Sequence, residues 1–275
     1  MVGINHNFLY AAASSFSLFE ECTNKGVICV ITEQEIISGL RRLEITSETE
    51  LEVHCSLSSF GFVSGGPKTV IAALKSTCAH GSIFMPALRL SPELPLTETD
   101  KKLGILTKIQ ILPSNCERSA MGAVADTFRM QPDVMTGEGV FRISGWGRNA
   151  DKAVSGGLDY VIHNGGMALL LGVDIYKLTA MHYVDNLLPP EIREIFAPDE
   201  EVNKVYPPES WLVETGRPPV QAWYTIQNAA YDKGLIQEGL IGDCKVMYFK
   251  IWDVVGLYES ELRNDPYKLY GIEHI

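Results

Sequence analysis

The sequence predicts an α/β fold, a three-layer α/β/α sandwich around a mostly buried sheet in a single domain. Three observations carry that prediction. Short apolar runs bounded by breakers, "GSIFMPAL", "MALLLGV" and "CKVMYFKI", read as strands, "MALLLGV" as one buried on both faces in the middle of a sheet. Between them lie amphipathic stretches with helix start and stop signals, and strands alternating with helices mark a layered α/β domain. A chain of 275 residues can bury a sizeable core and is read as one domain. The boundaries are 1–31 as an N-terminal extension, 32–265 as the α/β domain and 266–275 as a C-terminal tail.

The elements follow in order. "TEQEIISGLRRL" opens with Thr32 and Glu35 in capping-box spacing, then puts Ile36, Ile37, Leu40 and Leu43 on one helical face. A strand at Leu51–His54 leads through serines and glycines into a helix with Pro67 in its first turn, a β-loop-α unit. "GSIFMPAL" is a strand closed by Pro86, and a long polar, proline-containing connection from Arg89 to about Ser119 is a candidate cover for a site. "SAMGAVADTFRMQ" is a helix, "MALLLGV" a strand and "PPEIREIF" a short helix, while "APDEEVNKVYPPES" reads as an extended surface segment. A longer helix from about Val220 to Lys233 stops at Gly234. "CKVMYFKI" is a strand and "WDVVGLYESELRN" the final amphipathic helix. Trp211, Trp223, Tyr224 and Tyr231 read as core or interface.

A net charge of -11 disfavours nucleic acid and anionic membrane, both of which require a basic surface. It suits a cationic substrate, and it is equally the ordinary acidity of a soluble cytoplasmic protein. No apolar run approaches the roughly 20 residues that span a bilayer. "FLYAAASSFSLF" lacks a preceding Lys/Arg region and is not read as a secretory signal. Cys22, Cys29, Cys55, Cys78, Cys116 and Cys244 form no CxxC pair and no zinc-like spacing, so reduced thiols in a cytoplasmic protein are expected, with neither a metal site nor a disulfide framework.

Two stretches carry candidate chemistry. In "VHCSLSSFGFVSGG", Val53 to Gly66, serine hydroxyls, permissive glycines and the start of a helix are the ingredients of a phosphate cradle. A simple strand-to-helix turn would look the same, and the loop matches neither Walker A nor GxGxxG. In "TAMHYVD", Thr179, His182 and Asp185 share one face if the stretch is helical. His182 is then either a working base or only a polar residue after a strand. Histidine's ordinary pKa of about 6.5 suits proton acceptance near neutral pH. Asp185 could hold one imidazole nitrogen while the other takes a proton, and Thr179 could offer a hydroxyl to an oxyanion. Cys55 as a nucleophile is disfavoured, because adjacent His54 should point to the opposite face. Arg129 reads as a surface or dipole partner, Trp146 as core, His163 as a loop histidine and Glu138 as an exposed carboxylate.

A resemblance adds specificity. "VHCSLSSFGFVSGGPKTVIAAL" is similar to the signature "vHsSLsslG.v.GGa..vi.aL" of the aminoglycoside 3-N-acetyltransferase family. "GSIFMPAL", "MGAVADTFRMQPDV", "GWGRNA", "LLLGVDIYKLTAMHYVD" and "LIGDCKVMYFKIWDVV" resemble further family segments in the same order, over roughly Thr32 to Leu262. The resemblance implies an acetyltransferase-like domain that moves an acetyl group from acetyl-CoA to a small-molecule amine, an aminoglycoside among the candidates. It assigns Ser56, Leu57, Ser58, Ser59, Gly65 and Gly66 to the cofactor side and the base role to His182, with direct transfer. No nucleic-acid or membrane partner is implied, and a homodimer is an assembly the reading admits.

Two departures stand out. Asp185 replaces the family's usual Glu, one methylene longer. "MTGEGVFRIS", Met135 to Ser144, replaces the family's "RS.HP..S", which implies an altered acceptor pocket. A non-catalytic CoA-binding or scaffold relative of the same fold is the alternative.

Overall fold

The computed structural model describes residues 30–215 and 220–272. Cys22, Cys29, the "FLYAAASSFSLF" stretch and most of the segment read as an N-terminal extension lie outside them. A short strand β1 (Val30–Ile31) leads into helix α1 (Glu33–Arg42). Thr32 Oγ1 accepts from the Glu35 backbone N–H, and the Glu35 carboxylate accepts from Thr32 N–H at 2.8 Å. This reciprocal cap starts the helix, and Ile36, Ile37 and Leu40 are buried on its inner face.

Strand β2 (Glu50–Cys55), the short β3 (Phe62–Val63), helix α2 (Pro67–Thr77) and strand β4 (Ser82–Pro86) realise the β-loop-α-β reading. Strand β1 pairs in parallel with β3. After β4 come α3 (Glu98–Lys102), β5 (Ile105–Gln110), α4 (Gly122–Arg129), β6 (Met135–Thr136), β7 (Ile143–Gly147), α5 (Ala150–Gly156), α6 (Leu158–His163) and β8 (Met167–Leu171). The chain continues through α7 (His182–Asp185), α8 (Pro190–Phe196), α9 (Glu200–Val205), β9 (Trp211–Thr215), α10 (Val220–Asp232), β10 (Gln237–Ile241), β11 (Cys244–Lys250), α11 (Ile251–Asn264) and α12 (Pro266–Tyr270).

The main sheet runs β10-β11-β8-β2-β4-β7-β6. Its centre, β8-β2-β4, is parallel, and antiparallel strands extend it on both sides. Alternation along the strands builds two cores. Phe84, Ala168, Leu170, Met247 and Phe249 face one layer with α10 and α11, whereas Ile83, Met85, Leu169, Leu171 and Val246 face the other with α1, α2 and α4. Both faces of the sheet are therefore covered, which is why "MALLLGV" is apolar at successive positions. Fold class and three-layer arrangement agree with the sequence reading.

Four segments differ from expectation. The Arg89–Ser119 connection contains α3 and β5, and β5 pairs antiparallel with β9 in a second small sheet. Its period-2 signal is masked because the inward position carries Lys108, neutralised by buried Asp100 at 2.6 Å rather than by apolar neighbours. The "APDEEVNKVYPPES" segment holds α9, capped by Asp199, which accepts from Val202 N–H at 2.9 Å. Val202 is its one buried residue, too few to produce a helical period. Strand β7 escapes notice because it carries glycines. A Cβ on Gly145 would approach the Ala150 carbonyl oxygen to 3.0 Å, so the glycine admits α5 against the sheet. Residues 266–270, read as the start of a tail, form α12, with Tyr270 buried.

Candidate active site

Strands β2 and β8 are parallel neighbours, so the loops after them leave the same edge of the sheet, the usual place for a ligand crevice in an α/β fold. The ladder extends one residue further, with Ser56 N–H donating to the Leu171 carbonyl at 2.9 Å. The serine loop and the segment leading to His182 are thereby set side by side.

The serine loop begins with a 3₁₀ turn, Leu57–Phe60, anchored by buried Phe60. Ser59 Oγ lies 2.7 Å from the Ser56 carbonyl and 3.1 Å from Cys244 Sγ, and the Ser56 and Ser58 hydroxyls are 3.2 Å apart. Gly65 and Gly66 have φ of 81° and 61°, in the left-handed region that favours glycine. A Cβ at Gly65 would sit 2.4 Å from Thr69 Oγ1, the group that closes the loop onto the Ser64 carbonyl. Gly66 is the N-cap of α2, with no side-chain cap, and Pro67 follows. Beside this start lies a cavity of about 700 Å³ lined in part by Pro67, Arg118, Ser119, Gly122 and Met130.

The second loop is held by side chains before it reaches His182. Asp174 accepts from Tyr176 N–H at 3.1 Å, Gln227 accepts from Ile175 N–H at 3.0 Å, and a 3₁₀ turn, Thr179–Met181, runs into α7. His182 Nδ1 and Asp185 Oδ2 are 2.8 Å apart. Asp185 Oδ1 accepts from Tyr258 Oη at 2.7 Å and Trp223 Nε1 at 3.3 Å, and the Tyr258 and Tyr270 hydroxyls are themselves hydrogen-bonded. Burial, reinforced by Asp185, pushes the Tyr258 hydroxyl far above its ordinary pKa and keeps it a donor. The Trp223 ring meets the imidazole edge-on, centroids 4.9 Å apart. The His182 side chain is 60% exposed and that of Asp185 15%, so a screened carboxylate holds Nδ1 and Nε2 is left for a reacting group.

His182 and Asp185 are thus brought together, as their spacing suggests. Thr179 lies on the 3₁₀ turn directly before His182, its N–H 3.3 Å from His54 Nε2. Sequence reasoning misses Trp223, Tyr258 and Tyr270 as site residues, because buried aromatics on helices read as core. It misses Glu214 on β9 as well. Burial pushes the Glu214 carboxyl up, the Thr107 side chain and then His182 oppose this, and Glu93 and Asp185 add to it. That coupling puts a further carboxylate, Glu214, in the electrostatic neighbourhood of His182.

Burial, with a smaller contribution from Cys244, pushes the Cys55 thiol far up, which disfavours a nucleophile there. Arg129 is not a surface residue: its side chain is 6% exposed, paired with Asp126 at 3.1 Å and donating to the Cys116 carbonyl. Trp146 is half-buried, with Nε1 bonded to Asp133 at 2.9 Å. His163 ends α6, packed against Tyr183 and Trp252. Among the described residues no helix is long and apolar enough to cross a membrane.

Comparison with known proteins gives a consistent picture. The family model described as aminoglycoside 3-N-acetyltransferase matches residues 53–263. Aminoglycoside N(3)-acetyltransferase III from a Salmonella species is 25% identical over 274 residues, covering 82% of this chain and 88% of its own. A histidine-to-alanine mutant of aminoglycoside acetyltransferase AAC(3)-IVa, solved in complex with a gentamicin, superposes with a TM-score of 0.65 at 19% identity, covering 89% of this chain and 95% of that one. AAC-IIIb in a binary complex with CoASH superposes with a TM-score of 0.63 at 16% identity, covering 90% and 100%.

Proposed function

The chain belongs to the aminoglycoside 3-N-acetyltransferase family, an N-acetyltransferase with a CoA-type co-substrate, and from that premise we propose direct acetyl transfer from acetyl-CoA to an amine with His182 as general base. The observation that carries the reading is the 2.8 Å contact between His182 Nδ1 and Asp185 Oδ2. With Nδ1–H donated to the carboxylate, Nε2 is the nitrogen that takes a proton from the acceptor amine. The amine nitrogen attacks the thioester carbonyl, a C–N bond forms, the C–S bond breaks and CoA leaves as its thiol. The proton lost by the amine passes through the imidazole towards the departing sulfur. Asp185 stabilises the transient imidazolium.

Ser56, Leu57, Ser58, Ser59, Gly65 and Gly66 hold the CoA arm in this scheme. The exposed Ser58 and half-buried Ser56 hydroxyls, glycines with positive φ and an uncapped helix start offer donors to its polar and phosphate groups. Thr179 supplies a hydroxyl to the tetrahedral oxyanion. Glu214, electrostatically coupled to His182, suits a cationic acceptor, and gentamicin in the AAC(3)-IVa complex supports an aminoglycoside or a related polyamine. The acidic net charge favours the same substrate class.

The test is acetyl-CoA-dependent release of CoA thiol with a panel of aminoglycosides and simpler amines, run beside His182→Ala. Turnover lost in the variant supports the reading. CoA binding by calorimetry with no thiol release on any amine would instead indicate a scaffold that keeps the fold.

A further inference from the structure

We propose that Glu52 and His54, both on β2, are positioning residues for the turn that presents His182; the inference rests on the base role given to His182 above. Glu52 is fully buried and His54 is 7% exposed. Glu52 is registered between Phe84 and Ala168, which belong to the apolar layer on that face of the sheet. One of its oxygens, Oε2, is buried with no hydrogen-bond partner among the described residues. A carboxyl in such a place, with half its acceptor capacity unused, is destabilising, so the packing of the sheet does not account for it.

Its other oxygen does account for it. Glu52 Oε1 accepts from His54 Nε2–H at 2.8 Å and from Ala180 N–H at 3.2 Å; Thr179 N–H lies 3.3 Å from the same Nε2, which, with its proton directed at Glu52, has no lone pair to receive it. Glu52, held by His54, thus engages the Ala180 amide of the 3₁₀ turn Thr179–Met181, the residues immediately before His182. A three-residue 3₁₀ turn leaves most of its own donors unmade, and here the sheet supplies an acceptor for one of them. The same strand runs on within two residues of His54 into Ser56, the first residue of the serine loop. One strand therefore sets the imidazole and the serine loop in register with each other.

The experiment compares wild type with Glu52→Leu and Glu52→Gln. Three quantities are read: hydrogen exchange at the Ala180 amide, melting temperature, and the separate kcat and KM for acetyl-CoA. Glu52→Leu fills the apolar layer but removes the acceptor, so melting is held or raised, the Ala180 amide exchanges faster, and kcat falls while KM for acetyl-CoA is unchanged. A displacement on the order of 1 Å at His182 can lower kcat by about 100-fold, and a loss of roughly 10- to 100-fold is expected. Glu52→Gln keeps an oxygen for Ala180 N–H and rescues part of that loss. A folded Glu52→Leu protein with wild-type amide exchange, or with a kcat loss that only follows a lower melting temperature, overturns the inference. If wild type itself turns over no amine, the transferase reading fails, and the exchange comparison still decides whether Glu52 holds the turn.

Discussion

The Tyr258 hydroxyl donates to Asp185 Oδ1 at 2.7 Å, on the opposite side of the carboxylate from His182. Asp185 is therefore clamped between a buried phenol and an imidazole, with Trp223 Nε1 as a third donor. This clamp offers a physical account of how a side chain one methylene shorter than the family's usual Glu reaches the imidazole: donors from α10 and α11 hold it.

Tyr258→Phe removes that donor without changing shape. Losing a hydrogen bond to a charged group costs about 1.5–3 kcal/mol. A lower melting temperature is expected together with a reduced kcat, while KM for acetyl-CoA stays as in wild type. An unchanged kcat in the folded variant would detach Tyr258 from the chemistry.

His182→Ala should be silent in stability and loud in rate. The side chain is 60% exposed, and exposed substitutions usually move stability by no more than about 0.5 kcal/mol. Removing a general base costs roughly 10²- to 10⁴-fold in kcat. Circular-dichroism melting and thiol release on the same preparation separate the two.

Glu214→Gln should raise KM for a polycationic acceptor several-fold and leave KM for acetyl-CoA alone. Because burial pushes the Glu214 carboxyl up, it takes up its proton at a higher pH than an ordinary glutamate at about 4.3. Acceptor KM is accordingly expected to rise as pH falls through the mildly acidic range, and this rise should shrink in the variant. Steady-state KM against pH for both proteins is the measurement.

Asp100 and Lys108 make the small sheet acid-sensitive. Burial opposes the Asp100 charge, but hydrogen bonds from Lys108, Tyr206 and Thr97 outweigh it and hold the carboxyl far below its usual range. A depressed folded value stabilises above the unfolded pKa of about 3.9 and loses that contribution as pH falls below it. Lys108→Met leaves Asp100 buried without its cation, at a cost of about 3 kcal/mol, the low end for a broken buried pair. Melting temperature against pH from 7 to 3 should drop less steeply in Asp100→Asn than in wild type.

Much of the architecture is legible locally. The Thr32–Glu35 cap, Pro67 after Gly66 and the apolar run before Gly172 each report a property that neighbouring residues decide: who satisfies a helix's first amides, which backbone angles are allowed, and whether a strand is covered on both faces. The pairing of His182 with Asp185 belongs to the same class, since residues three apart on a helical turn are neighbours wherever that turn is placed.

What surrounds that pair is of another kind. Tyr258 and Trp223 lie 73 and 38 residues from Asp185 in the chain, and Glu52 lies 128 from Ala180. No local period encodes contacts of that range, and a buried tyrosine or an inward lysine such as Lys108 looks, in sequence, like ordinary core or ordinary surface. The sequence by itself determined most of the central elements and the imidazole with its carboxylate, because these rest on local hydrogen bonding and side-chain spacing, and its ordered motifs carried the resemblance to the family. Only the tertiary structure decided which distant donors hold that carboxylate and which buried acid engages the turn behind it, because burial and hydrogen-bond complementarity arise when the layers close on the sheet.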